Sequence, residues 1–175
     1  IKLGRIEELV SPATDFAVVT VLPAVASRQA AALGIPYHAC ADAIFSQLGS
    51  YTAAQTEVQF AQLSSVTSFM GDCYKRQLTM QQWLVSQGIA AEQAAKWVHA
   101  VFSMWLAGSA NPGPDTYSHC ISEQTVGGLN ERVWKEQEAD GIYKAIMHSL
   151  DSVLHRKLTG EIDPSLSPAS RRSRL

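Results

Sequence analysis

Two adjacent glycines, Gly127 and Gly128, stand directly before "LNERVWKEQEA", a segment whose pattern predicts a helix. The first N–H groups of a helix have no partner inside the helix and lie at the positive end of its dipole, so glycines there let a carboxylate or phosphate approach the backbone closely. The same pair also suits a tight turn, because glycine adopts conformations that other residues avoid. The local residues leave a ligand-binding role and a purely steric role both open.

Residues that bind metals or act as nucleophiles are scattered along the chain. No two histidines have the one-turn helical spacing beside a carboxylate that a zinc site requires, so the sequence predicts no metal site. The histidines are His38, His99, His119, His148 and His155. A cysteine–histidine nucleophile pair stays open, since such partners meet in space and not in sequence.

The three cysteines, Cys40, Cys73 and Cys120, are odd in number and widely spaced. This spacing argues against a disulfide framework and for a reducing compartment, in which we expect them to be buried as small apolar residues. The sequence therefore predicts a cytoplasmic location.

Composition narrows the classes of partner. The formal net charge is −2 and the charges of both signs are mixed along the chain, so no nucleic-acid partner and no anionic membrane surface is predicted. The apolar run that starts at Phe16 is too short to span a bilayer and is interrupted by Pro23. Charged residues make up only 17% of the chain, which suggests that a partner covers some apolar surface.

The four tryptophans are expected at that covered surface, since tryptophan at helical spacing usually packs in a core or a subunit interface. They are Trp83, Trp97, Trp105 and Trp134. The acidic run "EQEAD" after the last of them predicts a solvated helix face and not a pair of catalytic carboxylates.

The elements that must position these residues change in character along the chain. Up to about residue 50, "LGRIEELV" predicts a helix, "FAVVTVLP" and "PYHAC" predict strands, and "ADAIFSQLG" predicts a short helix that Gly49 ends. This alternation is typical of α/β units with a largely parallel sheet. It is too little sheet to stand alone, and with a first residue that is not methionine we expect that a preceding portion is missing.

From about residue 55 the pattern is helical. Thr56 is the expected cap of a long helical segment that Gly88 ends, and "AEQAAKWVHAVFSMWLAG" predicts a second long helix. A short helix around residues 117–123, a helix from Leu129 to about Ala139 and a last helix after Gly141 follow. The tail at residues 159–175 is rich in Pro, Ser and Arg and is predicted to be disordered.

The order of these parts resembles the pyrroline-5-carboxylate reductase family, and in particular its divergent branch of reductase-like NADP oxidoreductases. Four stretches carry the resemblance: "IKLGRIEELV" with "DFAVVTVLPAVASRQ", then "ADAIFSQLGS", then "WLVSQGIAAEQAAKWVHAVF", and finally "EQTVGGLNERVWKEQEADGIYKAIMHSLDSVLHR". They follow the family order from residue 1 to about residue 158.

The resemblance implies a mainly α fold in which an all-helical dimerisation domain follows the last α/β elements of a Rossmann-like domain. Residues 1–50 would be the remnant of the dinucleotide-binding domain, and residues 51–158 the helical dimerisation and substrate domain. The family transfers a hydride from NADPH or NADH to a cyclic imino acid and so forms proline. The resemblance therefore implies an NAD(P)-dependent oxidoreductase acting on a C=N bond, active as a homodimer through its C-terminal helices.

Family residues can be carried over at six positions. Leu22 and Pro23 match the Met-Pro that lies near the nicotinamide. Gly127 and Gly128, with Thr125 before them, match the segment at the substrate carboxylate, and Asn130 stands at the threonine that hydrogen-bonds the substrate. The resemblance makes Asn130 the candidate catalytic residue.

The sequence also departs from the family. Val126 and Leu129 replace a proline and a threonine around the glycine pair, and Ala24 and Val25 replace an Asn-Thr pair. The chain has no Gly-x-Gly-x-x-Gly fingerprint, so the nucleotide would be bound mainly by residues absent from it. The alternative is a non-catalytic dimeric helical protein that keeps the family fold without the chemistry.

Overall fold

The structure, a computed structural model, describes residues 17–22 and 30–162. These residues divide into two compact units. The first unit holds the residues up to Ser68 together with those from His148 onward, and the second runs from Phe69 to Met147. The helix predicted in "LGRIEELV" and most of the predicted disordered tail lie outside the described residues. The domain boundaries predicted at residues 50 and 158 stay a prediction.

A three-stranded sheet forms the centre of the first unit. Strands β1 (Val18–Leu22), β2 (Ala30–Ile35) and β3 (Gly49–Ala53) lie in the order β1-β2-β3. β1 and β2 are antiparallel, and β2 and β3 are parallel. The largely parallel sheet expected from the sequence is therefore wrong for the first pair. Parallel neighbours need a crossover of about a dozen residues or more, and only residues 23–29 separate β1 from β2.

The strand predicted in "PYHAC" is also wrong, because β2 ends immediately before it at Ile35. Pro36 has no N–H to donate to a ladder, so it cannot extend the central strand of the sheet. Helix α1 (Ala39–Leu48) begins within this segment, and His38 caps it by accepting a hydrogen bond at Nδ1 from the N–H of Ala41, at 3.4 Å. The predicted end of α1 at Gly49 is confirmed.

Helix α2 (Glu57–Ser65) contacts β2. The Thr56 cap is confirmed, since its hydroxyl accepts a hydrogen bond from the N–H of Gln59 at 3.1 Å. Ser64 and Ser65 are buried, and both hydroxyls donate to the carbonyl of Ala61. A 3-10 turn (Val66–Phe69) then leads into the second unit.

The second unit is helical. Helix α3 (Met70–Ser86) packs against helix α4 (Ala91–Gly108), whose Ala94 and Val98 are buried. The predicted stop after α3 is confirmed: Gly88 has φ 90° and its N–H donates to the carbonyl of Val85. Helices α5 (Thr116–Ser122), α6 (Leu129–Ala139) and α7 (Ile142–Thr159) follow, with α7 ending in the first unit.

These elements confirm the predicted fold class, mainly α with a small sheet ahead of the helices. The prediction of buried cysteines is wrong, because Cys40 and Cys73 are exposed and Cys120 is only half-buried. Few side chains of the described residues are buried at all, so small apolar positions on the helices remain open to solvent. Within residues 17–22 and 30–162, no helix combines the length and apolar character needed to cross a membrane.

Candidate functional site

The glycine pair belongs to a β-turn that joins α5 to α6. The N–H of Gly128 donates to the carbonyl of Thr125 at 2.9 Å, which closes the turn. Gly127 has φ 75°, in the left-handed region that the third position of a type II turn requires. A Cβ on Gly128 would lie 2.8 Å from the carbonyl oxygen of Thr125. The turn therefore explains both glycines. Gly127 is needed for its left-handed backbone conformation, and Gly128 is needed because a side chain there would collide with the Thr125 carbonyl.

The turn leads directly into the start of α6. Gly128 is its N-terminal cap, and the N–H of Arg132 donates to the Gly128 carbonyl at 3.0 Å as the first helical bond. Gly128 has no side chain that could cap the helix. Leu129, the first residue of α6, is 79% exposed. The N–H groups of Leu129 and Asn130 precede the first helical donor and lie at the positive end of the dipole, where an anion binds most favourably.

A carboxylate of the chain already lies beside this turn. Glu131 accepts a hydrogen bond from the N–H of Gly127 at 2.6 Å, and its other oxygen accepts one from the Lys135 ammonium at 2.6 Å. Its side chain is 19% exposed. The hydrogen bond from Lys135, followed by that from Gly127, holds the pKa of the Glu131 carboxyl below its ordinary value. The arrangement resembles a capping box, in which an acid at the third helical position reaches back to an N–H group before the helix.

The candidate catalytic side chain is held by the segment that follows α5. The carboxamide nitrogen of Asn130 donates to Gln124 Oε1 at 2.8 Å, and Gln124 in turn donates to the carbonyl of Cys120. A carboxamide offers two donors and one acceptor oxygen, so Asn130 can still donate to and accept from a ligand. This chain of hydrogen bonds fixes the orientation of Asn130 relative to the turn.

The turn and the first turn of α6 thus bring together four of the predicted site residues: Thr125, Gly127, Gly128 and Asn130. Leu22 is the last residue of β1, paired with Ala31 in the first unit, and Pro23 lies outside the described residues. The roles assigned to these residues stay predictions.

Sequence reasoning did not identify Glu131 or Gln124 as parts of this site. Glu131 had a usable signal, an acid at the third position of a predicted helix with a lysine four residues later. Gln124 had none, because its contact with Asn130 depends on how the turn folds. In the part of the chain that the structure describes, no group of three or more metal-ligating side chains is positioned to hold an ion.

Comparison with known proteins resolves the fold. No model of a known protein family and no curated protein sequence matches the chain. Among solved structures, a pyrroline-5-carboxylate reductase from Coxiella burnetii matches 89% of the chain with a TM-score of 0.75 at 13% identity. The pyrroline carboxylate reductase of Plasmodium falciparum, solved with NADP bound, matches 88% with a TM-score of 0.70 at 11% identity. The fold is that of the pyrroline-5-carboxylate reductases.

The resemblance inferred from the sequence is thereby confirmed at the level of the fold. The chain spans 60% of the length of the Coxiella burnetii reductase and 64% of that of the Plasmodium falciparum reductase. Within this reductase fold, the glycine turn and the start of α6 remain the candidate site.

Proposed function

We propose that the protein is an NAD(P)-dependent reductase that acts on the C=N bond of a small cyclic imino acid, of which pyrroline-5-carboxylate is the first candidate. The observation that carries this proposal is the fold likeness to two pyrroline-5-carboxylate reductases over 88% and 89% of the chain. The exposed glycine turn before α6 supports it, since it offers N–H groups where the resemblance places a substrate carboxylate.

The nucleotide supplies the hydride in such a reaction. The residues of this chain do not by themselves fit a whole dinucleotide, because no two of its glycines have the Gly-x-Gly spacing that binds the pyrophosphate. Of the two residues expected near the nicotinamide, only Leu22 is described, at the end of β1. We therefore assign no step of hydride transfer to residues of this chain.

The residues of the turn would bind and orient the substrate. Its carboxylate would accept hydrogen bonds from the N–H groups of Leu129 and Asn130, and the Asn130 carboxamide would contact the ring. Glu131 already occupies the N–H of Gly127, so it keeps a second anion away from that position. Leu129, where the family has a threonine, makes this surface more apolar, which favours a substrate with an apolar ring face.

A titration of the full-length protein tests this function. With NADPH and pyrroline-5-carboxylate present, we expect the amide resonances of Leu129 and Asn130 to shift, and Asn130→Ala to lower kcat/KM for NADPH oxidation about tenfold. The matched control is Asn111→Ala, which changes the other asparagine of the chain, an exposed loop residue. Unmoved amides in a protein that binds nucleotide, or equal losses in the two variants, would show that the turn is not a substrate site.

We also propose that the functional form is a homodimer in which a second copy covers the apolar surface of α3 and α4. Trp83 and Trp97 are each 62% exposed there, and Trp105 is 51% exposed. Between them lies a groove of about 260 Å³ with almost wholly apolar walls. An exposed apolar surface of this kind marks an interaction site.

Sedimentation of a charge variant tests the dimer. Trp97→Glu should raise the dimer dissociation constant at least tenfold, because it places a charge in an apolar interface. Lys96→Glu is the control, because it changes the charge of the residue just before Trp97, which is exposed and paired with Glu92. A monomeric parent protein would contradict the proposal.

One observation favours the alternative, a non-catalytic helical protein with the reductase fold. Both glycines are explained by the turn itself, and the carboxylate of Glu131 already satisfies the N–H of Gly127. Such a protein would dimerise but would show no amide shift at Leu129 or Asn130 with any imino acid.

A further inference from the structure

The first unit contains a second feature suited to a ligand, a cavity of about 420 Å³ bordered by β1, β2, α2 and the end of α7. This volume falls within the roughly 300–1,000 Å³ of small-molecule sites. Its walls are mainly apolar, with Val18, Ile35, Phe60 and Leu158 among them. Lys157 is exposed, so the cavity reaches solvent at that side.

Among the described residues that line the cavity, one is cationic. The Lys157 ammonium donates a hydrogen bond at 2.7 Å to the hydroxyl of Ser64, a residue that is only 6% exposed. The Ser64 hydroxyl in turn donates to the carbonyl of Ala61 at 3.2 Å. Although the residue is exposed overall, partial burial of its ammonium lowers the pKa of Lys157. Lys157 is in none of the ion pairs found among the described residues. Within that part of the chain, its ammonium is therefore paired with the neutral hydroxyl of Ser64.

A carboxyl side chain of α2 also lines the cavity, and it has a partner of its own within the protein. Glu57 lies seven residues before Ser64 on the same helix, and both line the cavity. Seven residues are about two helical turns, so the two side chains share one face of α2 about 10 Å apart along its axis. The cavity therefore runs from an ammonium to a carboxylate along apolar walls.

We propose that this cavity binds a small monocarboxylic acid, with its carboxylate paired with the Lys157 ammonium, which Ser64 positions, and its apolar chain against Val18, Ile35 and Phe60. A single ammonium beside a neutral hydroxyl matches one negative charge, whereas a phosphate dianion is usually held by several donors or by the fork of an arginine. The walls away from Lys157 are mainly apolar, so a second carboxylate would lose its hydration there without gaining a partner, and the site selects monocarboxylates over dicarboxylates. The site uses no residue of the glycine turn and requires no nucleotide.

Calorimetric titration of the full chain with hexanoate tests the proposal. We expect saturable binding that Lys157→Gln weakens at least tenfold, because it removes the charge that the carboxylate pairs with. Arg156→Gln is the matched control, since Arg156 is the adjacent cation but does not line the cavity, and it should leave the affinity unchanged. Absence of saturable binding, or equal weakening in both variants, would overturn the proposal.

Ligand selectivity provides a second measurement that does not depend on the folding of any lysine variant. The parent protein should bind hexanoate at least tenfold more tightly than adipate, which has the same chain length and a second carboxylate. Equal affinity for the two acids, or tighter binding of inorganic phosphate than of hexanoate, would contradict the assignment.

Discussion

The cavity of the first unit and the glycine turn of the second satisfy their polar groups in different ways. In the turn, the carboxylate of Glu131 accepts hydrogen bonds from the N–H of Gly127 and from the ammonium of Lys135. Its negative charge is therefore matched by groups within nine residues of sequence. In the cavity, the charge of Lys157 meets the neutral hydroxyl of Ser64, which is 93 residues away. A polar group whose charge is matched by its neighbours stabilises local structure, whereas a charge with a neutral partner inside a cavity remains available to a ligand.

The two regions also differ in how far their residues are exposed to solvent. Val126 and Leu129 in the turn are 88% and 79% exposed, whereas Ile35 in the cavity wall is 4% exposed and Ser64 is 6% exposed. The turn therefore contributes little apolar burial, whereas Ile35 and Ser64 of the cavity wall belong to the core. Substitutions should have large effects on stability at these buried positions and small ones at the turn.

Ile35→Ala is the substitution with the largest expected effect. Removing a buried isoleucine side chain costs about 2–5 kcal/mol of unfolding free energy, since the lost contacts are not recovered by relaxation. Leu129→Ala, an apolar truncation in the exposed turn, should change the unfolding free energy by less than about 0.5 kcal/mol. Urea denaturation followed by circular dichroism measures both. Similar losses in the two variants would contradict the difference in burial between the regions.

Local signals were sufficient to predict most of the second unit. The bounds of α6, the end of α3 just before Gly88 and the stop at Gly141 all depend on residues within a few positions of each boundary. Helix periodicity and glycine at positive φ act over this same range, so they can be read from a sequence. The Thr56 cap was predictable for the same reason.

Contacts between distant residues could not be predicted in this way. The antiparallel pairing of β1 with β2 depends on the direction in which the chain returns, which the apolar pattern of a strand does not encode. The contact between Lys157 and Ser64 joins two helices far apart in sequence, and neither residue has a local motif. The exposure of Cys40 and Cys73 depends on how little of each helix the core covers, which is also a tertiary property.

Substitution of Gly127 has an intermediate expected effect and tests whether the turn is structural. Gly127→Ala should cost about 1–2 kcal/mol, because a Cβ is strained at φ 75°. Gly127→Asn should cost less, since asparagine tolerates the left-handed region. Gly71→Ala is the control: Gly71 lies in α3, where a Cβ would meet nothing within 4 Å, so alanine should stabilise the protein by up to about 1 kcal/mol.

A loss of stability in Gly127→Ala with unchanged binding of imino acid and nucleotide would assign the turn a steric role alone. If the variant instead loses binding while Gly127→Asn keeps it, the conformation of the turn is required for the ligand. The two variants therefore separate the two roles that the sequence left open.

The smallest expected effect is the pH dependence of the Glu131 contact. The folded protein holds the pKa of this carboxyl below its ordinary value of 4.5, with the hydrogen bond from Lys135 as the largest cause. A carboxyl whose pKa is lower in the folded state contributes stability that is present above the unfolded value and is lost as the pH falls through the folded value. The contribution of Glu131 should therefore persist at neutral pH and disappear in acid, below 4.5.

The amide resonance of Gly127 reports this titration directly, because its N–H donates to the Glu131 carboxylate. Lys135→Gln should raise the pH at which the resonance moves, and Glu131→Gln should abolish the movement. Glu138→Gln, a change at an exposed acid farther along α6, should leave it unaltered. If Lys135→Gln has no effect on the midpoint, the ammonium does not hold the carboxylate in solution. The turn would then present an unmatched charge, as the cavity does, and the contrast between the two regions would be lost.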